Sequence, residues 1–89
     1  MFGIRNQIGK AMTTVTREIL YTIKTQLAPR DTLTDNQKLM YACVYLAGAA
    51  RVLQLSGNSE LYGRFVGITE RLSKKGYREF AAVCREYDV

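Results

Sequence analysis

Apolar residues recur every three or four positions through the first third of the chain, at Ile4, Ile8, Met12, Val15, Ile19 and Ile23. That spacing keeps them on one side of an α-helix and predicts a long amphipathic helix from about Gly3 to Leu27. Thr13, Thr14, Thr16, Thr22 and Thr25 are mediocre helix formers, so packing rather than intrinsic propensity must hold it. Pro29 ends the helix, because the residue before proline leaves the α region and the ring cannot continue the hydrogen-bond ladder. Ala28 to Leu33 is then a loop.

Thr34 followed by Gln37 spells a capping box, with Asp35 at the positive end of the helix dipole. A second helix therefore starts at about Asp35 and runs to Gly57 and Asn58. Its stretch from Leu39 to Leu55, LMYACVYLAGAARVLQL, is interrupted only by Gly48, Arg51 and Gln54. Leu39, Cys43, Leu46 and Ala50 form one apolar face; Tyr41, Tyr45 and Val52 lie on the side away from it. A helix that is apolar all round belongs in a large core, a membrane or an assembly, and 89 residues leave little room for a large core. One face can meet the bundle while Tyr41, Val44, Tyr45 and Val52 meet a second subunit or a partner. The competing expectation is burial of both faces by the first, third and fourth helices.

Asn58 or Ser59 caps a third helix, with Leu61, Phe65, Ile68 and Leu72 on one face and Gly76 as its stop after Lys75. Glu60 with Arg64 and Glu70 with Lys74 are spaced for i,i+4 ion pairs on its outer side. Tyr77 to Tyr87 reads as a short fourth helix turning Phe80, Val83, Cys84 and Tyr87 inward. No segment alternates as a strand does. The expected fold class is all-α: one helical domain, 1–89, of about four helices.

Charge adds a second theme. Thirteen Lys and Arg against eight Asp and Glu give a net charge of +5, and the excess is concentrated near the start. Lys10, Arg17 and Lys24 fall along one stripe nearly opposite the first helix's apolar face, with Arg5 nearby. Such a stripe is either a solvated surface or a contact for phosphates, with Lys74, Lys75 and Arg78 as further candidates. Tyr62, Arg64 and Phe65, then Tyr77, Arg78 and Phe80, interleave aromatics with cations as single-strand binders do, yet Phe65 and Phe80 fall on core faces. Gly63 and Gly67 make a GxxxG, a weak signal outside an apolar membrane segment.

Catalysis is poorly supported. There is no histidine, the four glutamates of the third and fourth helices are too widely spaced for close dyads, and no glycine-rich phosphate loop occurs. Cys43 and Cys84 stand far apart on apolar faces, without the paired spacing of a zinc site, and read as core thiols. No cofactor is expected. The apolar run is short of the roughly 20 residues that span a bilayer and contains Arg51, and the start of the chain lacks a secretory leader's apolar core. The first helix lacks the aromatic-rich apolar face of an interfacial anchor, so a membrane is not an expected partner. The expectation is a cytoplasmic, non-catalytic interaction module that forms a homodimer and binds another protein as adaptor, chaperone-like cofactor or inhibitor. The alternative is nucleic-acid binding through Arg5, Lys10, Arg17 and Lys24.

Overall fold

The computed structural model describes the backbone of residues 2–89 and the side chains of residues 12–89. Four helices follow one another, α1 (Phe2–Leu27), α2 (Asp35–Leu55), α3 (Ser59–Lys75) and α4 (Arg78–Glu86), with no strand among the described residues. The fold is all-α, as the periodicity predicts.

The boundaries lie where the local chemistry sets them. Gln37 N–H donates to Thr34 Oγ1 at 3.2 Å while Thr34 N–H donates to Gln37 Oε1 at 2.9 Å, so the capping box is formed in both directions. At the other end of α2, Asn58 N–H reaches Leu53 O and Gly57 N–H reaches Gln54 O, a Schellman closure. It requires Gly57 at φ +80°, where a side chain would be strained. Asn58 then caps α3 by accepting from Leu61 N–H at 3.3 Å. With only residues 56–58 between them, α2 and α3 fold back on each other as a helical hairpin.

α3 lies between α2 and α4, and α1 packs across all three; α2 and α4 do not pack on each other. The shared core draws Leu20, Ile23 and Leu27 from α1, Ala42, Leu46 and Ala50 from α2, Leu61, Phe65, Ile68 and Leu72 from α3, and Phe80, Val83 and Cys84 from α4. The inward faces predicted for α3 and α4 are found, with Tyr87 half-buried against the core.

α1 departs from expectation. Its buried line in the described part is Thr16, Leu20, Ile23 and Leu27, while Val15 is exposed and Met12 and Ile19 are half-buried. At 100° per residue this is a rotation of about 80° from the predicted stripe. A polar residue can occupy that line because Thr16 Oγ1 donates to Met12 O at 2.8 Å, leaving no unsatisfied hydroxyl in the core. Ile4 and Ile8 lie outside the described side chains.

The ion pairs also differ from those predicted. Glu60, Arg64, Glu70 and Lys74 form none among the described residues; instead Arg71 Nη2 holds Glu79 at 2.9 Å and Glu86 at 2.7 Å, and Lys75 lies 3.6 Å from Glu79. Arg64 sits over the Tyr87 ring, 5.9 Å from its centroid.

Candidate functional site

Two surfaces stand out, one apolar and one cationic. The apolar one follows from the layering. Because α4 sits on the far side of α3, nothing described covers the outer side of α2. Met40, Val44, Val52 and Leu55 are 69 %, 69 %, 63 % and 75 % exposed, which excludes burial of both faces of this helix within one chain. Positions 40, 44, 48, 52 and 55 step by four, four, four and three, so they form one line with Gly48 at its middle. A Cβ added at Gly48 would meet nothing within 4 Å, so the centre of the line is open.

The four residues predicted for an interface divide. Val44 and Val52 stand on this line. Tyr41 and Tyr45 flank it, half-buried against the core, with ring centroids 6.3 Å apart and the Tyr41 hydroxyl donating to Gln26 Oε1. Met40 and Leu55 were missed, although the four-residue step from Met40 through Val44 and Gly48 to Val52 was there to be read. Arg51 points to solvent and forms no ion pair among the described residues.

The cationic surface is differently composed from the predicted stripe. Arg5 and Lys10 lie outside the described side chains. Arg17 is exposed beside Glu18 and Asp88, which line the same recess, so its surroundings are mixed in charge. The rotation of α1 instead carries Lys24 round to α4, where it lines a cleft of about 380 Å³ with Arg78, Arg85, Phe80, Ala81 and Cys84. Burial pushes the Cys84 thiol up in pKa, with Lys24 pulling weakly the other way, so this sulfur is a packed thiol rather than a ready nucleophile. The interleaved aromatics are occupied: Phe65 is fully buried, and Tyr77 stacks on Phe80 at 5.6 Å with Lys38 Nζ 5.8 Å from its ring.

Among the described residues no three His, Cys, Asp or Glu side chains converge in a group able to hold a metal, and no helix is long and apolar enough to cross a membrane. The fold and surface define a small helical bundle with one uncovered apolar helix face. No family model, curated protein or solved structure matches the chain.

Proposed function

We propose that this chain is a non-catalytic protein–protein interaction module that acts as a homo-oligomer through the outer face of α2. One observation carries the reading: four large apolar side chains exposed in line on a helix that its own bundle leaves uncovered. A contiguous apolar line is unusual on a surface with no function.

The line is close to symmetric about Gly48, with Val44 and Val52 four residues to either side and Met40 and Leu55 eight before and seven after. Two copies packed antiparallel about a two-fold axis at Gly48 set Val44 of each against Val52 of the other, the self-complementary arrangement of an isologous dimer. Gly48 lets the two backbones approach, and the flexible Met40 fills what remains. The same face accepts the apolar side of a partner protein's amphipathic helix, the contact expected of an adaptor, a chaperone-like cofactor or an inhibitor. We assign the module to the cytoplasm, in line with Cys43 and Cys84 being free thiols.

Light scattering across a concentration series tests the proposal. The expected result is a salt-resistant dimer whose dissociation constant rises about tenfold or more in Val44→Arg, with helicity unchanged because Val44 is exposed. A wild-type chain that stays monomeric at every concentration, or a Val44→Arg dimer of unchanged affinity, overturns it.

A further inference from the structure

We propose that the cleft between α1 and α4 binds a phosphate group through Lys24, Arg78 and Arg85. These three cations come from two helices and line one cleft of about 380 Å³, with no acidic side chain among its walls. None of the three forms an ion pair among the described residues.

The reason lies in how α4 distributes its charge. Arg78 and Arg85 are seven residues apart and share one side of the helix; Glu79 and Glu86, equally spaced, share another. Arg71 of α3 grips both glutamates, at 2.9 and 2.7 Å, and so draws the acids of α4 away from its bases. The Arg71 bond holds the Glu79 carboxyl below its ordinary pKa, so that grip is between charged groups. The positive side of α4 is left without an ion-pair partner among the described residues, and Lys24 lines the same cleft.

The floor beneath these cations is apolar, with Phe80 4 % and Cys84 3 % exposed. A low-dielectric floor strengthens the field felt by an anion above it. Two guanidinium forks and one ammonium suit a group with two charges and three free oxygens better than a carboxylate, and that group is phosphate. With Tyr77 and Phe80 stacked on each other, the cleft offers no free ring to a base. The ligand is therefore recognised by its phosphate, whether that belongs to a small phosphate compound or to the backbone of a single-stranded nucleic acid.

Calorimetric titration of the full chain with inorganic pyrophosphate, at low and moderate salt, tests the site. Saturable binding is expected, weakened about tenfold in each of Lys24→Gln and Arg85→Gln by loss of a charge-assisted contact. Arg30→Gln, an equal change of charge at an exposed position of the 28–33 loop, is expected to leave it unchanged. A short oligothymidine then distinguishes the sources. Displacement of pyrophosphate, with log K falling against log salt at a slope of about −2 for three contacts, assigns the site to a phosphodiester backbone. Binding of pyrophosphate without displacement by the oligonucleotide assigns it to small phosphate compounds. Absence of saturable binding to either probe, or equal weakening in Arg30→Gln, overturns the proposal.

Discussion

α2 and α3 are the two arms of one hairpin and share the same core, yet they use their apolar residues differently. α3 segregates them: Leu61, Phe65, Ile68 and Leu72 are all buried, and its outer side is polar. α2 buries only Ala42, Leu46 and Ala50, mostly small residues, and leaves Met40, Val44, Val52 and Leu55 outside. A helix with one apolar side is satisfied by folding. A helix with apolar residues on two sides is satisfied only halfway, and Met40, Val44, Val52 and Leu55 are left over for another molecule.

The largest effect should come from the buried arm. Phe65→Ala removes a fully buried ring from α3 and is expected to cost about 3–5 kcal/mol in urea unfolding. Val44→Ala on α2, measured at a concentration where the chain is monomeric, should change stability by about 0.5 kcal/mol or less. Comparable losses from the two substitutions would break the contrast between a filled face and an open one.

A smaller difference separates the caps of the two arms. Thr34 and Gln37 satisfy each other's backbone at the start of α2, whereas Asn58 makes one 3.3 Å bond at the start of α3. Thr34→Ala should cost about 1 kcal/mol, and Asn58→Ala less. Equal costs would show that the reciprocal half of the capping box adds nothing here.

The smallest effect concerns the arginine of each arm. Arg71 of α3 hydrogen-bonds Glu79 and holds its pKa below the ordinary 4.5, while Arg51 of α2 has no ion-pair partner among the described residues. A depressed carboxylate pKa adds stability that is complete above the ordinary value and is lost as the pH falls through the folded-state value. Wild-type thermal stability should therefore decline as the pH falls below about 4.5. Arg71→Met should flatten that part of the decline, and Arg51→Met should leave it intact. A decline unchanged in Arg71→Met would remove the clamp as its cause.

Much of this could be read from the residues. The four-residue core line of α3, the Thr34 capping box and the stop at Pro29 depend on neighbours within one or two turns, and all are found. The line chosen in α1 was misread for a local reason. That helix carries two overlapping apolar stripes, one through Val15 and Ile19 and one through Leu20 and Leu27, and the second includes Thr16, a polar residue that fits the core because its hydroxyl bonds to its own helix. The ion pairs were misread for a long-range reason, since the hydrogen-bonded pairs join Glu79 and Glu86 to Arg71, 8 and 15 residues away, and the one i,i+4 pair is Lys75 with Glu79 rather than either pair expected within α3.

By itself, then, the sequence determined the helices, their ends and the presence of more apolar surface in α2 than a small bundle can absorb, because these follow from steric preference, capping and periodicity within a few residues. Only the tertiary structure decided which side of α2 stays uncovered and which cations meet. Both depend on how far each helix is rotated about its axis and on α4 lying behind α3 rather than against α2. Those are set by the packing of all four helices together, where a rotation of less than one residue's turn moves Lys24 from an isolated stripe to the mouth of a shared cleft.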